Sequence, residues 1–303
     1  MHNGGQVEKH WNTVYADKDK SDYRIRDWGE LAYIRREYLH PLISGNPTDG
    51  PLDFAMKKYF VDRPRVRALN LGCGAGSVEQ AGFGYDVFQS SIGFDVSATA
   101  IEHARRIAQE RGYGDRASYR LEDLTKAQLP ESSFDAVFMS MALHHVLELE
   151  HILACIKKWK TPQALFVLDE YVGPNRFQWE PVVLEHCQRL LQALPERLRV
   201  HGVTGEVVRE VWRPPLRAMI DGDPSEAVRS ADIVPMVRAY FDVVELRNYG
   251  GTILHPLLVD IVHNFHPENV DEDEQILQWL FSEEDRLIKN GSITSNFAVL
   301  VAR

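Results

Sequence analysis

The sequence predicts an α/β fold built on a mostly parallel β-sheet. Five short apolar segments of strand length, spread over residues 66–170, alternate with segments of helical spacing. This alternation is the pattern of consecutive βαβ units, whose strands run parallel. Two further strand-like segments, 241–248 and 296–302, lie near the end of the chain and bring the predicted sheet to seven strands.

The composition excludes several classes of protein. With 303 residues, 44% hydrophobic and 26% charged, the chain resembles an ordinary globular protein and is long enough to bury a large core. It contains no apolar run of the ~18 residues that a membrane-spanning helix needs. Residues 1–10 lack the apolar stretch of a signal peptide, so we expect a cytoplasmic protein that does not contact membranes.

Charge and cysteine content narrow the partners further. The formal charge of −10 disfavours nucleic acid, because a protein that neutralises phosphates needs a basic face. Cys73, Cys155 and Cys187 are widely spaced and odd in number, which fits a reducing compartment and gives no disulfide framework or zinc site. We therefore expect a small-molecule partner and no bound metal.

The first strand, residues 66–71, ends in a glycine-rich loop. Gly72, Gly74 and Gly76 stand at alternate positions, as expected where positive φ or close approach to a ligand excludes a Cβ. A dinucleotide-binding loop has the spacing Gly-x-Gly-x-x-Gly, whereas here the third glycine comes one residue early and Ser77 follows it. The loop therefore indicates a nucleotide-like cofactor and disfavours NAD(P).

Gly-x-Gly-x-Gly after a strand resembles motif I of the class I S-adenosylmethionine-dependent methyltransferases. The resemblance covers about residues 50–175 and the last two strands. It implies a Rossmann-like seven-stranded sheet, mostly parallel with the last strand antiparallel, and helical cap insertions near both ends of the chain. It also implies S-adenosylmethionine as cofactor and S-adenosylhomocysteine as product, with the loop contributing Asn70, Gly72, Cys73, Gly74 and Gly76.

Two of these loop residues need comment. The family usually has an acid at the position of Asn70, which helps to hold the methionine ammonium. Asn70 would do so by a hydrogen bond only. Cys73 stands where a small residue is needed, and we interpret it as a packing residue and not as a nucleophile.

Acids follow the second and third strands. Asp95 ends the segment 91–95, at the distance after the glycine loop expected of a carboxylate that binds ribose hydroxyls. The alternative is a solvated turn acid. In the family the next residue, here Val96, also lies at the cofactor. After the strand 117–121, Asp123 resembles the family's acid that accepts from the adenine amino group, and Leu124 would pack on the adenine.

Two histidines follow the fourth strand, residues 135–139. Met139, at the strand's end, is expected at the cofactor, and His144 and His145 fall at the carboxyl edge of the sheet, where ligands bind in open α/β folds. One interpretation is structural: one histidine caps the next helix and the other is a buried polar spacer. In the other, a histidine takes a proton from a hydroxyl acceptor, and we favour His145 over His144.

The fifth strand, residues 164–170, ends in a polar loop. Glu170 is the candidate for a second base or a hydroxyl clamp, and the residues 175–179 would then form a wall of the acceptor pocket. The alternative is that Arg176 neutralises Glu170 while the aromatic residues cover the core. The sequence does not separate the two.

The N-terminal segment is predicted to be helical. Trp11 and Tyr15 share one face of a helix over residues 8–15. They either dock that helix on the core or form a lid over the cofactor. A second helix is expected over 28–39, ending before Pro41.

The C-terminal half carries four more predicted helices. Their ranges are 181–194, 226–239, about 254–265 and 271–289, and an irregular segment covers 201–225. The acids of the last helix, at 271–274 and 283–285, are expected to form a solvated face and not a metal site.

These expectations divide the chain into four regions. Residues 1–60 form an N-terminal helical lid, 61–175 the cofactor-binding core, 176–240 a helical cap that contacts the acceptor, and 241–303 the last two strands with a helical insertion. The predicted function is methylation of a small polar metabolite, preferably at an oxygen of a sugar or of another natural-product or polysaccharide intermediate. Two alternatives stay open. One is an N-methyltransferase, and the other is a non-catalytic S-adenosyl-ligand binder that engages a protein partner through its cap.

Overall fold

A seven-stranded sheet forms the centre of the molecule. The computed structural model describes residues 4–18 and 23–303, so residues 1–3 and 19–22 of the predicted lid region 1–60 lie outside the described residues. The strands are β1 (Val66–Leu71), β2 (Phe88–Asp95), β3 (Ala117–Leu121), β4 (Phe134–Ser140), β5 (Lys160–Tyr171), β6 (Val243–Asn248) and β7 (Phe297–Ala302).

The strand order is β3-β2-β1-β4-β5-β7-β6. Strands β1 to β5 pair in parallel, and β7 runs antiparallel to both β5 and β6. The predicted seven-stranded, mostly parallel Rossmann-like sheet with an antiparallel last strand is confirmed. The direction of winding reverses between β1 and β4, and the carboxyl ends of the strands around such a reversal are where open α/β sheets bind ligands.

Helices cover both faces of the sheet. They are α1 (Gly4–Lys18), α2 (Ala32–Ile34), α3 (His40–Ser44), α4 (Pro51–Tyr59), α5 (Ser77–Gly84), α6 (Ala98–Glu110), α7 (Leu149–Trp159), α8 (Pro181–Ala193), α9 (Leu216–Gly222), α10 (Ile233–Tyr240), α11 (Leu254–Leu258) and α12 (Asp271–Lys289). Leu69 and Leu71 of β1 pack with α7 and α10, whereas Ala68 packs with α4 and α5. The strand is thus buried on both sides, as parallel strands usually are. Within residues 4–18 and 23–303, none of the helices combines the length and apolarity required to traverse a bilayer.

A second apolar core lies beyond β5 and β7. It joins the segment that carries Trp28 to α8, α11 and α12, and it meets the sheet at Tyr171 and Phe297. The rings of Tyr171 and Phe297 are 5.2 Å apart. This core fixes the helical insertions next to the carboxyl end of β5, which is the edge where a ligand would bind.

The helical segment before β1 extends further than predicted. The expected end before Pro41 is wrong, because α3 contains Pro41 and continues to Ser44. A π-helical turn over Arg35–Leu39 precedes it, in which the His40 N–H donates to the Arg35 carbonyl five residues back. Proline lacks an N–H and usually interrupts the i to i−4 hydrogen bonds of a helix. Here the bonding pattern has already shifted before the proline, so the helical path continues.

The helix predicted over 226–239 begins later than expected. Residues 223–229 form a loop, which we call the cap loop, and α10 begins at Ile233. Ala227 in this loop has φ of +46°. The Arg176 guanidinium donates to the carbonyls of Asp223 (3.4 Å), Pro224 (2.7 Å) and Glu226 (3.0 Å). Of these carbonyls, that of Glu226 would have accepted a bond within the predicted helix, so the tertiary contacts with Arg176 override local propensity.

The acidic helix α12 has the predicted bounds, but its acids are not all solvated. Glu284 is fully buried and accepts hydrogen bonds from the backbone N–H groups of Gly251 (2.8 Å), Ile253 (2.6 Å) and Leu254 (3.1 Å). Burial raises the pKa of Glu284. The expectation of a solvated face is therefore wrong at Glu284, which holds the turn before α11, and at Asp273, which is also fully buried and accepts from the His266 N–H at 2.8 Å. Helix α11, predicted over about 254–265, ends at Leu258 and is shorter than predicted.

Candidate active site

The loop after β1 is held against its neighbours through its backbone. Gly72, Gly74 and Gly76 have φ of +74°, +52° and +80°, in the left-handed region that favours glycine. The N–H groups of Gly72 and Cys73 donate to the Phe94 carbonyl at 2.9 and 2.8 Å. A Cβ on Gly72 would collide with the side chain of Ala142. The loop therefore lies tightly between the ends of β2 and β4.

Asp95 faces this loop from the end of β2. Its Oδ2 accepts from the Gly74 N–H at 2.8 Å, and its Oδ1 accepts from the Ser97 N–H at 2.8 Å. Burial raises the pKa of Asp95, while the backbone N–H groups act in the opposite direction. Val96 is half-buried beside it. The structure thus places the predicted acid against the glycine loop, in contact with its backbone.

Asp123 lies at the end of the adjacent strand. Asp95 pairs with Leu121 in the sheet, so the two acids follow neighbouring strand ends. Oδ1 of Asp123 accepts from the N–H (3.0 Å) and the hydroxyl (2.7 Å) of Thr125. Asp123 thereby caps the short helical turn that begins at Leu124. Burial would raise the pKa of Asp123, but hydrogen bonds from Thr125 and Lys126 outweigh it and the pKa is lowered. The carboxylate is therefore charged at neutral pH.

Three other predicted cofactor residues have buried side chains. Cys73 packs in the small core under α6, and Met139 packs in the core on the α7 side of the sheet. Asn70 is 1% exposed, and its Nδ2 donates to Oε2 of Glu79 at 2.9 Å. Glu79 is fully buried, and desolvation raises its pKa to about 7. The structure does not bring these three side chains to the surface on which Asp95 lies.

Helix α1 covers the loop and extends beyond it. Asn12 accepts from the Ser97 hydroxyl at 2.8 Å, and the Tyr15 hydroxyl lies where a Cβ on Gly74 would be. Trp11, on the same side of α1, meets the ring of His145 edge to face, with 5.1 Å between centroids. One helix thus lies over both the glycine loop and the histidine pair. Its role as a lid stays a prediction.

The histidine pair lies in a 3₁₀ turn, Leu143–His145, after β4. Glu170, at the end of β5, accepts from the N–H groups of Ala142 (2.5 Å) and Leu143 (2.6 Å) through Oε1. Its Oε2 is 2.6 Å from Nδ1 of His144. Glu170 is 1% exposed and His144 is 4% exposed. The structure therefore pairs Glu170 with His144 and not with Arg176, which binds the cap loop.

The cap loop brings more polar side chains to the histidines, and sequence reasoning missed them. Oε1 of Glu226 is 3.6 Å from Nε2 of His144. Nδ1 of His145 is 3.1 Å from the Ser225 hydroxyl and 3.6 Å from Oδ2 of Asp223. Ser225 is 80 positions from His145. The local pattern predicted an irregular segment followed by a helix, so the sequence carried no signal for this contact.

The two histidines have opposite pKa shifts. Burial alone would lower the pKa of His144, but Glu170 and Glu226 outweigh it and raise the pKa to about 9. Burial lowers the pKa of His145 well below its usual value, and the charge of His144 lowers it further. At neutral pH the pair therefore consists of one imidazolium and one neutral imidazole. Adjacent groups whose environments separate their pKa values are typical of acid–base sites.

The same residues have the spacing of a metal site. Donor atoms of His144, His145 and Glu226 all lie within 4.8 Å of one another. A metal-binding histidine is neutral, so an ion would have to displace the proton that Glu170 and Glu226 favour on His144, whose pKa they raise to about 9. We therefore interpret the cluster as an acid–base site.

Several residues around this cluster have strained backbone conformations. Four non-glycine residues near the histidines or the cap loop have left-handed φ values: Met141 (+51°), Arg176 (+56°), Phe177 (+51°) and Ala227 (+46°). The Met141 N–H donates to the Asp169 carbonyl at 2.7 Å, and the Arg176 N–H donates to the Ala227 carbonyl at 2.7 Å. Such conformations persist where surrounding contacts over-determine them, and they cluster at functional sites.

The segment that carries these features matches a known family. A family profile described as a methyltransferase domain matches residues 69–168, from β1 into β5. The match includes the glycine loop, Asp95, Asp123 and the histidine pair. Residues 69–168 form a class I methyltransferase domain. Helix α1, Glu170 and the cap loop lie outside the matched part of this domain.

Curated relatives of the methyltransferase domain are distant. Phosphoethanolamine N-methyltransferase 3 of Arabidopsis thaliana is 24% identical over 179 residues, which are 56% of this chain and 34% of that protein. A sterol 24-C-methyltransferase of Yarrowia lipolytica (strain CLIB 122 / E 150) is 28% identical over 175 residues, 57% of this chain and 43% of that protein. The chain thus spans less than half the length of these relatives.

One solved structure resembles the methyltransferase domain together with its additions. The geranyl diphosphate C-methyltransferase of Streptomyces coelicolor A3(2), solved with Mg²⁺, geranyl diphosphate and S-adenosyl-L-homocysteine, has a TM-score of 0.54. The alignment covers 100% of this chain and 98% of that protein at 11% identity. At this identity the similarity concerns the fold.

Proposed function

We propose that this chain transfers a methyl group from S-adenosylmethionine to a hydroxyl group of a small polar metabolite, and that His145 accepts the hydroxyl proton. The observation that carries the proposal is the position of His145. It is a neutral imidazole at the carboxyl end of β4, in a methyltransferase domain, between the cap loop and Trp11 of α1. A neutral histidine at such an edge is suited to proton transfer.

The residues around the glycine loop fit an adenosyl cofactor. The loop takes left-handed conformations at Gly72, Gly74 and Gly76, and a Cβ on Gly72 would collide with Ala142, so this path of the backbone requires glycine. Each oxygen of Asp95 accepts one N–H, which leaves lone pairs for ribose hydroxyls. Asp123 and Leu124 follow the next strand and would hold the adenine. When bound, S-adenosylmethionine supplies a methyl group on a positively charged sulfur.

The protein's own part is to position the acceptor and remove its proton. Holding the reacting atoms in line replaces much of the entropy cost of the reaction. As the hydroxyl oxygen gains the methyl group and the sulfur–methyl bond breaks, the O–H proton becomes strongly acidic, so a base of low pKa such as His145 is sufficient. Glu226 of the cap loop, whose side chain is partly exposed, supplies an acceptor for another hydroxyl group of a polyol, which supports a sugar-like substrate.

The contacts of Glu170 support a positioning role and not the predicted role of a second base or hydroxyl clamp. It was expected as a second base or hydroxyl clamp, but its oxygens are engaged by two backbone N–H groups and by His144. These contacts support a role for Glu170 and His144 in holding the histidine turn. We further propose that α1 acts as the lid and the cap loop as the wall of the acceptor pocket.

The proposal includes the chain's surroundings. We propose a cytoplasmic protein with a small-molecule acceptor and no nucleic-acid partner. The net charge of −10 disfavours nucleic acid. The free thiols Cys73, Cys155 and Cys187 agree with a reducing compartment.

The test is a transfer assay. Purified protein is incubated with methyl-labelled S-adenosylmethionine and fractions of a metabolite extract, and labelled products are analysed by mass spectrometry. His145→Gln is expected to lower transfer by about 10²- to 10⁴-fold, with the affinity for S-adenosylhomocysteine unchanged. The matched control is His266→Gln, which changes an exposed histidine in the turn before α12.

Other outcomes would select the alternatives. An N-methylated product would identify an N-methyltransferase, in which the Glu226 carboxylate would bind a cationic group. Tight cofactor binding without transfer to any fraction would favour a non-catalytic binding protein. Transfer that survives in His145→Gln would remove His145 as the base.

A further inference from the structure

A chain of hydrogen bonds connects His145 to a buried carboxylate through a serine. The Ser225 hydroxyl is 2.6 Å from Oδ1 of Asp223, and the same oxygen accepts the Ser225 backbone N–H at 2.8 Å. On its other side the Ser225 hydroxyl is 3.1 Å from Nδ1 of His145. Asp223 is 5% exposed and Ser225 is 4% exposed. The connection is therefore shielded from water.

The direction of each hydrogen bond follows from the donor inventory. A carboxylate has no hydrogen to give, so the Ser225 hydroxyl must donate to Asp223. A hydroxyl has one hydrogen, so toward His145 it can only accept. Nδ1 of His145 must then carry the hydrogen, which leaves Nε2 as the acceptor nitrogen of the neutral ring.

We propose that Ser225 and Asp223 are positioning residues that fix His145 in the Nδ1–H tautomer and so make Nε2 its proton-accepting nitrogen. The inference rests on the proposed function of His145 as a base. It assigns to the cap loop a role that no local sequence feature indicated. A carboxylate that sets the tautomer of a catalytic histidine is the logic of hydrolase triads, here with a serine between the two.

The cap loop is fixed well enough for this role. The Arg176 side chain binds three of its carbonyls, and the Val228 N–H donates to the His144 carbonyl at 3.0 Å. The loop and the histidine turn are therefore joined by backbone as well as by side chains. A loose loop would leave the tautomer undefined, since the two tautomers of free imidazole are close in energy.

Asp223 is placed to stabilise a proton that arrives at Nε2 of His145. Oδ2 of Asp223 is 3.6 Å from Nδ1 of His145 and 3.9 Å from Nε2 of His10, and it is buried without a hydrogen-bond partner among residues 4–18 and 23–303. His144, His10 and Arg176 act against a charge on His145. When the proton leaves the acceptor oxygen for Nε2, as that oxygen gains its methyl group, Asp223 is the nearby carboxylate that stabilises the imidazolium until the proton passes to solvent.

The test measures the tautomer directly, in the full chain. The protein is labelled with ¹⁵N-histidine, and two-bond ¹H–¹⁵N correlations are recorded with S-adenosylhomocysteine present and absent. The His145 signals are assigned from the spectrum of His145→Gln. We expect a protonated Nδ1 and an unprotonated Nε2 for His145 in the wild type, and both nitrogens protonated for His144, which serves as an internal reference.

Four variants separate hydrogen bonding from charge and from packing. Ser225→Ala should move His145 to a mixture of tautomers, whereas Ser225→Thr should restore the wild-type spectrum. Asp223→Asn keeps an oxygen for Ser225 and should keep the tautomer, while loss of the charge lowers the pKa of His145. Ser230→Ala is the packing control, because Ser230 is a buried serine whose hydroxyl donates to the Gly173 carbonyl.

The results decide the proposal independently of activity. An Nε2–H tautomer in the wild type, or an unchanged tautomer in Ser225→Ala, would overturn it. If Ser225→Ala is too unstable to measure, the wild-type tautomer and the Thr variant still decide. With an acceptor in hand, Ser225→Ala should lower kcat at least about 10-fold with little change in KM. A correct tautomer without any methyl transfer would instead count against the proposed function alone.

Discussion

The carboxylate of Asp95 accepts a hydrogen bond from the backbone N–H of Gly74, with 2.8 Å between Oδ2 and N. The contact joins the end of β2 to the loop after β1. It places a partly buried carboxylate beside the glycine loop, where we propose that the ribose of the cofactor binds. Measuring the affinity for S-adenosylhomocysteine therefore tests directly whether the cofactor binds at this edge of the sheet.

Asp95→Ala is expected to weaken S-adenosylhomocysteine binding by roughly 10- to 100-fold, since a hydrogen bond to a charged group contributes about 1.5–3 kcal/mol. Isothermal titration calorimetry measures the effect. Asp115→Ala, which removes an exposed acid in the turn before β3, should leave the affinity unchanged. Equal affinities in wild type and Asp95→Ala would show that the ligand binds elsewhere.

The contact between His144 and Glu170 predicts a dependence of stability on pH. His144 has a folded-state pKa of about 9, above the ordinary value of about 6.5. A raised histidine pKa stabilises the fold fully below pH ~6.5, and this stabilisation is lost as the pH rises through about 9. The shift corresponds to roughly 3 kcal/mol.

Chemical denaturation between pH 6 and 10 checks this prediction. Wild type should lose stability over that window, and His144→Gln should have a lower free energy of unfolding at pH 6 and a flatter profile. The difference between the two proteins isolates His144 from other titrating groups. A wild-type profile that rises toward pH 9 would contradict the pairing of His144 with Glu170.

How much of this site was visible in the sequence depends on the range of the contacts. The glycine loop and Asp95 depend on local geometry after two neighbouring parallel strands, and their positions were predicted. Ser225 and Asp223 reach His145 across about 80 positions, through a loop that Arg176 holds in place. Residue patterns of period 2 or 3.6 carry no information about such a contact.

The errors in secondary structure have the same origin. Glu226 begins what looks like a helix, yet hydrogen bonds from Arg176 hold it in a loop. Glu284 looks like a surface acid on an amphipathic helix, but it satisfies three backbone N–H groups in the interior. In each case a distant partner decided the conformation, and the sequence alone does not reveal which distant residue that partner is.

Glu79 offers a test in which a conservative substitution stabilises the protein. Burial raises its pKa from 4.5 to about 7, so folding becomes less favourable as the pH rises from 4.5 through 7. Glu79→Gln keeps an oxygen for Nδ2 of Asn70 and removes the charge. At pH 8 the variant should be more stable by up to roughly 3 kcal/mol, and at pH 4 it should differ little.

Thermal or urea unfolding at the two pH values measures the effect. Glu102→Gln, on the exposed side of α6, is the matched control and should change stability at neither pH. A variant that is less stable than wild type at pH 8 would show that the charged form of Glu79 has a favourable partner. Glu79 would then be a candidate for the acid that the family usually has at the position of Asn70.

The position of α1 predicts a change in the titration of His145. Trp11 covers the His145 ring edge to face, and burial is the main cause of the lowered pKa of His145. Trp11→Ala opens this side of the ring to water, so the pKa of His145 should rise toward its usual value. NMR titration of the ¹⁵N-histidine-labelled protein between pH 4 and 8 measures the shift.

Thr13→Ala, on the exposed face of the same helix, tests whether any change in α1 has this effect. It should leave the pKa of His145 unchanged, because the Thr13 hydroxyl donates to the Lys9 carbonyl of its own helix. If α1 is a lid, S-adenosylhomocysteine should also dissociate faster from Trp11→Ala than from Thr13→Ala. An unchanged pKa in Trp11→Ala would mean that the cap loop and β4 desolvate His145 without help from α1, and the helix would then be a docking element.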